Sequence, residues 1–560
     1  MLFSTTLSKD RDAGLLSAFL CLSALLIGLY HEALACLGSL FLLWFLWQKG
    51  RTGGVRFSPT LPLVTAAVIA LLYGVSALWA ADRGMAMFGF ARFLPLPLFA
   101  LALQQISPEG HAALRRTVPW LGAALALFTG LLAALPVTAR FVLVNGRLAG
   151  TFQSPNTFSL FLLACVILLV AQTERPRGWI PCLALLLAGI AFTGSRTVFV
   201  LLAVTLLLLF LLVKDRAVRS VLAGAAVLLV LLTAGYGLLT GDLSAWGRYL
   251  TISLESSTLQ GRLLYWEDAL PVILKHPLGL GYMGYAATVG SFQTGVYSLV
   301  HVHNELLQLM LDIGWLPAAL LLWTVFRSLT AKDLPLACKL CAGVILLHSL
   351  MDFDLQYPVI WFVLLLCLSS AEPLPKTAIL RRGVAPVCAL LACLCLYLGL
   401  VSGLYYTGNT DLCARLWPGH TQANLLLLQQ AETPEEMERQ ADRMLKYNCN
   451  SALALSAKAR AAYASGNFQQ VIAFKEQAIA MARYSKEEYL DYFQMLSVGY
   501  QLYLQNGDSA SAEVCRQKLL SIPEQMEAVL ADTSPRAWKI TDKPDLSLPE
   551  EYTAFLSTLR

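Results

Sequence analysis

Charge is what this chain has least of. Asp, Glu, Lys and Arg make up 14% of its 560 residues, roughly half the share of a soluble globular domain. That excludes an ordinary water-soluble fold. The 13 cysteines lie mostly in apolar segments, where cysteine behaves as a small hydrophobe. Cys338 and Cys341 form one CxxC with no second pair, which argues against a zinc ribbon or a redox motif. No cluster of Asp and Glu suggests a divalent-cation site. Polar stretches are also missing from the first 400 residues, with one exception at 241–314.

What is present is apolar residue in blocks. The chain is 57% hydrophobic with a mean hydropathy of +0.61, the composition of an all-α, polytopic membrane protein. Thirteen spans are predicted, near 13–31, 32–48, 60–80, 84–104, 118–137, 156–172, 178–194, 197–213, 219–240, 304–326, 336–353, 357–372 and 384–403. Alternate loops hold 18 and 7 of the Lys and Arg residues. The positive-inside rule then puts the N-terminus in the cytoplasm, and the 241–303 loop and everything after 403 outside. The net charge of +5 sits with the membrane part, so it implies no nucleic-acid partner.

The outer-face cations run against the topology signal, and all but Lys275 are arginine, the side chain suited to bidentate phosphate contact. Arg92 falls two turns inside a predicted span, where an ionisable group is functional by default. The bland alternative is that loop arginines snorkel to the headgroups of membrane lipids.

After residue 403 the pattern changes. Thr433-Pro434-Glu435-Glu436 is a capped helix start. Tyr463, Gly466-Asn467-Phe468, Val471 and Ala478 return as Tyr503, Gly507-Asp508-Ser509 and Ala512, a motif offset of 41 residues. This resembles a degenerate tetratricopeptide repeat. The domain reading is therefore 1–403, a multi-spanning part with an outer loop at 241–303, and 404–560, an extracytoplasmic helical-repeat domain. The repeats occupy 420–531, an irregular tail follows, and a protein partner is a natural ligand.

Motifs on the predicted outer face come in order: Asn145 to Asn156; Thr193-Gly194-Ser195-Arg196; Gly261-Arg262-Leu263-Leu264-Tyr265-Trp266; Pro277-Leu278-Gly279-Leu280-Gly281; His303-Asn304-Glu305 with Gly314 eleven residues past the histidine; and His348 to Asp354. Together they resemble the O-antigen ligase/polymerase superfamily of bacterial membrane glycosyltransferases, well over 140–370 and loosely before. One ligase signature, Arg-x-x-x-Leu, is not kept: Arg196 meets Val200 and Arg262 meets Trp266. The branch of the superfamily stays open.

The resemblance implies transfer of a glycan from undecaprenyl diphosphate to an acceptor hydroxyl, outside the cytoplasm, without a metal or other cofactor and with inversion. It implies His303 as general base. It also implies Arg196 and Arg262 as a diphosphate clamp, with Arg147 and Arg92 as further diphosphate-binding candidates and His301, Glu305 and Asp352 as supporting residues. These residue types suit the chemistry. Guanidiniums neutralise a departing diphosphate, and neutral histidine accepts a hydroxyl proton near pH 7. The acceptor could be a lipid or wall glycan, a further repeat unit, or a protein hydroxyl. Gly279 to Gly284 spells GxGxxG but follows no strand, so dinucleotide binding is rejected. An anion transporter is the competing class. It would show internal repeats and polar groups at mid-membrane, and neither is evident.

Overall fold

The computed structural model describes residues 10–172, 175–239, 256–369 and 377–560. The first part of the expected outer loop, with Arg248, lies outside the described residues. Each predicted apolar stretch is helical. Five helices are long and apolar enough to cross a membrane: Glu32–Thr52, Leu61–Leu78, Ala86–Leu103, Pro108–Ala133 and Val384–Tyr406. Six more are apolar but shorter, among them Pro155–Val170, Arg196–Leu212 and Pro358–Leu368. Among the described residues the only strands are two short antiparallel ladders, pairing 55–57 with 378–380 and 143–144 with 147–148.

Two helices form the centre. Pro155–Val170 and Pro358–Leu368 are apolar around their whole circumference and buried on nearly every side, as such a pattern requires. Proline opens both at the first helical position, where the missing N–H costs nothing. Helices such as Arg196–Leu212 expose leucines outward, the mark of a lipid-facing surface rather than a water-facing one.

The expected span 304–326 is instead two helices, Glu305–Ile313 and Trp315–Thr330. Gly314 separates them at φ 86°, ψ −174°, a conformation essentially reserved for glycine. A Cβ there would also lie 2.4 Å from Pro277 O. The Pro277–Gly281 segment uses the break as a docking edge. Leu280 N donates to Leu311 O at 2.6 Å and Gly281 N to Asp312 O at 2.8 Å, so backbone groups freed by the interruption are satisfied from the neighbouring loop.

After Tyr406 come further helices, of 7 to 23 residues, packed each on the next. Thr433 caps Pro434–Tyr447 by accepting from Glu436 N. The two repeated turns are hydrogen-bonded alike. Gly466 N donates to Tyr463 O and Asn467 N to Ala462 O, and Gly507 N and Asp508 N do the same to Leu504 O and Tyr503 O. Asn467 and Asp508 each cap the helix that follows.

The tail differs from expectation. Glu550–Leu559 is a helix, started by two acids after Pro549. Residues 534–541 run back over helix Ser257–Lys275. There Ala537 and Ile540 are buried with Leu264, and Arg536 Nη1 donates to Gln260 Oε1 at 2.9 Å.

The C-terminal helices meet the rest of the chain through polar groups. Arg83 N donates to Tyr447 O at 3.0 Å and Arg483 N to Gly290 O at 3.2 Å. Asp82, buried at this joint, accepts from Thr421 Oγ1 at 2.7 Å and from Asn448 Nδ2 at 3.4 Å. Burial pushes its carboxyl up to about 6, against the opposing pull of the Thr421 hydrogen bond. A raised folded-state value in an acid means the folded form holds the proton more tightly. Stability from this group is therefore complete below its ordinary value of 3.8 and is lost as pH rises through about 6. We expect wild-type thermal stability in detergent to fall between about pH 4 and pH 6 and to level off above, and Asp82→Asn to flatten that dependence with a gain of ~3 kcal/mol or less at pH 7.5. Parallel melting curves for the two proteins would refute this.

Candidate active site

The site gathers at helix beginnings. Asn145 and Gly146, both at positive φ (51° and 72°), make the two-residue turn typical of tight hairpins. The turn delivers Arg147 on the second strand. Arg147 Nε donates to Thr193 O and Nη2 to Asn156 Oδ1, both at 2.7 Å. Asn156 is the second residue of the central helix Pro155–Val170, which Ser154 caps. Its amide Nδ2 donates to Asp352 Oδ2 at 2.7 Å. Asp352 lies in the turn leading into the other central helix, Pro358–Leu368. One hydrogen bond thus ties the starts of the two core helices together.

Asp352 is the hub. Oδ2 also receives Arg262 Nη2 at 3.1 Å, and Oδ1 faces His303 Nδ1 at 3.1 Å. A guanidinium and an amide N–H both donate to this buried carboxyl, contacts that favour its ionised form. An ionised carboxylate only accepts, so His303 carries its hydrogen on Nδ1. That leaves Nε2, in neutral imidazole, as a proton acceptor.

His303 itself sits at φ 54°, a left-handed conformation costing a non-glycine residue on the order of 1–3 kcal/mol. The backbone on both sides holds it there. Trp266 Nε1 donates to Val302 O at 3.1 Å and Val302 N to Gln308 Oε1 at 2.9 Å. Asn304 then caps Glu305–Ile313 by accepting from Leu306 N and Leu307 N. The ring packs against Phe353, centroids 5.0 Å apart. Of the three hub partners with side-chain exposures of 24% for His303, 13% for Arg262 and 3% for Asp352, the imidazole is the most open.

Beside the hub lies a cleft of about 410 Å³, lined by Arg147, Asn156, Arg196, Arg262, Leu259 and Met351 among others. Arg196 is the first residue of its helix and Arg262 stands near the start of Ser257–Lys275. Positive helix ends and three guanidiniums therefore share one pocket whose lining holds no carboxylate. With Val200, Leu201, Leu259, Leu347 and Met351 as its apolar part, such a lining has the chemistry to receive an anion that carries an apolar tail.

Other candidates fall elsewhere. Arg92 is buried, donating to Gln356 O at 3.2 and 3.0 Å and to Tyr282 Oη at 2.7 Å, with Glu32 at 3.7 Å. Glu305 accepts from Gln356 N and Nε2. Both belong to an inner network bracing the Asp354–Gln356 turn. His301 is buried with Nε2 at 3.2 Å from Tyr30 Oη. Burial, reinforced by Arg92, pushes it well below the ordinary histidine range, which makes it a poor base. Asn156 was quoted within a motif without a role, and Asp352 was given only a supporting one. Among the described residues no three His, Cys, Asp or Glu side chains gather as a metal-holding group.

A family model described as O-antigen ligase matches residues 181–322. No curated protein matches the chain. The O-antigen ligase match includes Arg196, Arg262 and His303, whereas Arg147, Asn156 and Asp352 lie outside it and join the site only through the fold. Together the match and the apolar helices point to a membrane protein with an O-antigen ligase-like, glycosyltransferase-type activity.

The hub makes a direct prediction. Asp352→Asn keeps the side chain's size and an acceptor for Asn156 but removes the charge that orients His303 and Arg262. Turnover should fall ~10²-fold or more with membrane insertion unchanged. Activity within about threefold of wild type would remove Asp352 from the site.

Proposed function

We propose that the chain transfers a glycan from undecaprenyl diphosphate to an acceptor hydroxyl on the outer face of the membrane. The observation that carries this reading is the shared carboxylate: Asp352 engages both Arg262, which lines the arginine-rich cleft, and His303, the open imidazole. A diphosphate in that cleft meets Arg147, Arg196 and Arg262. As the anomeric carbon–oxygen bond breaks, charge grows on the leaving diphosphate, where fixed cations lower the barrier most. His303 Nε2 takes the acceptor's proton as its oxygen attacks, and Asp352 stabilises the resulting imidazolium. Direct displacement inverts the anomeric centre. Guanidiniums supply the charge that a divalent cation would otherwise provide. The apolar lining of the cleft suits the first isoprene units of the lipid.

On this reading the thirteen helical stretches span the membrane, with the N-terminus inside. The helices after 403 form a repeat domain outside, related to tetratricopeptide repeats. A polymerase acting on repeat units, or a transferase to protein hydroxyls, would use the same constellation. The acceptor, not the arginine–histidine set, separates them.

Transfer from radiolabelled undecaprenyl-diphosphate oligosaccharide in proteoliposomes should persist in EDTA. It should fall ~10²–10⁴-fold in His303→Ala and comparably in Arg262→Ala. Full activity in both variants sinks the site assignment, and inhibition by EDTA that a divalent cation reverses sinks the metal-free mechanism. A reporter fused after Arg560 should read outside the cytoplasm, and a cytoplasmic signal would invalidate the topology.

A further inference from the structure

A second large cavity, about 610 Å³, lies where the C-terminal helices meet the outer segment. It is bounded by helix Gly284–Phe292 on one side and by the starts of Thr421–Gln429 and Ala452–Ala464 on the other. Its chemistry is the reverse of the arginine cleft. No Lys, Arg or His contributes to its lining, and its charged groups are Asp82 and Asp542. The remaining polar surface is carboxamide and hydroxyl: Gln293, Gln422, Asn450 and their neighbours, with the rings of Tyr297 and Tyr484. Such walls repel phosphates. They offer paired donors and acceptors to vicinal hydroxyls, and flat apolar faces to pyranose C–H edges. The volume is that of a ligand-sized cleft.

A chain of rings joins the cavity's wall to the candidate base. Tyr297, in that wall, packs at a tilt against Tyr265 with centroids 4.5 Å apart, and the Tyr265 ring centroid lies 6.3 Å from that of His303. Tyr265 is three residues beyond Arg262, so the helix that carries the proposed diphosphate clamp also carries the ring that touches the groove's wall. Displacement at an anomeric carbon needs the incoming hydroxyl opposite the departing diphosphate. With the diphosphate in the arginine cleft, the groove on the Tyr265 side is where the incoming chain belongs.

We infer that this groove binds an uncharged oligosaccharide, the acceptor chain, and feeds its terminal hydroxyl past Tyr265 to His303. The inference rests on the transferase reading and specifies the acceptor as a glycan rather than a polypeptide.

The test places a photoreactive benzophenone side chain at Gln422, in the groove, or at Val200, in the arginine cleft, in the full-length protein in its native membranes. Radiolabelled undecaprenyl-diphosphate oligosaccharide is supplied as donor. A carbohydrate-staining adduct from position 422, with a radiolabelled lipid adduct from position 200, is the expected result. A polypeptide adduct at 422, or none while position 200 captures donor, overturns the groove assignment and leaves the transferase standing. Failure at both positions overturns both. A carbohydrate adduct at 422 without donor capture at 200 upholds the groove and displaces the donor site. Independently, Ala287→Trp fills the groove without removing a hydrogen-bonding side chain. Transfer should drop at least about tenfold while donor capture at position 200 is unchanged, and wild-type transfer in this variant would overturn the proposal.

Discussion

A single buried carboxylate holds the site together. Asp352 accepts from an amide on one core helix, a guanidinium on the outer helix and an imidazole on a strained turn. Removing such a group from water costs several kcal/mol unless its lone pairs are used, and here both oxygens are occupied. The cost of burial and the precision of the site are therefore linked. The carboxylate is tolerated in the interior only when Asn156, Arg262 and His303 converge on it, and that convergence is the arrangement the chemistry needs.

The surrounding architecture serves this convergence. Two fully apolar helices can lie only at the centre, and they begin at one end. The start of Pro155–Val170, with those of the helices at Arg196 and Ser257, brings helix N-termini and arginines to a common pocket. A second network, Glu32–Arg92–Gln356–Glu305, braces the Asp354–Gln356 turn from beneath. Several of the buried charges of the membrane part, Asp352 in one network and Glu32, Arg92 and Glu305 in the other, thus belong to these two clusters.

Much of this was legible from residue order. Apolar blocks marked the helical stretches, and the charge asymmetry set six arginines apart, Arg147, Arg196 and Arg262 among them. It was the resemblance to the ligase superfamily that singled out His303 and paired Arg196 with Arg262. What could not be read was the partnership at long range. Asp352 stands 49 residues from His303 and 196 from Asn156, and local pattern carries no information about such pairs. Arg92 shows the converse. Its depth in a span marked it as special, but only the fold shows its donors engaged by Gln356, Tyr282 and Glu32. The break at Gly314 was visible as a glycine yet masked by unbroken hydropathy, since backbone conformation leaves no trace in a hydrophobicity window. The tail looked irregular because its hydrophobic residues are sparse. Ala537 and Ile540 find burial only against a helix some 270 residues earlier.

That return of the tail has a mechanical meaning. Helix Ser257–Lys275, which carries Arg262, is covered by residues 534–541 through Ala537, Ile540 and Arg536. The guanidinium's helix therefore takes part of its packing from a segment some 270 residues away in sequence. Any shift of the C-terminal helices is passed directly to the seat of one cleft arginine.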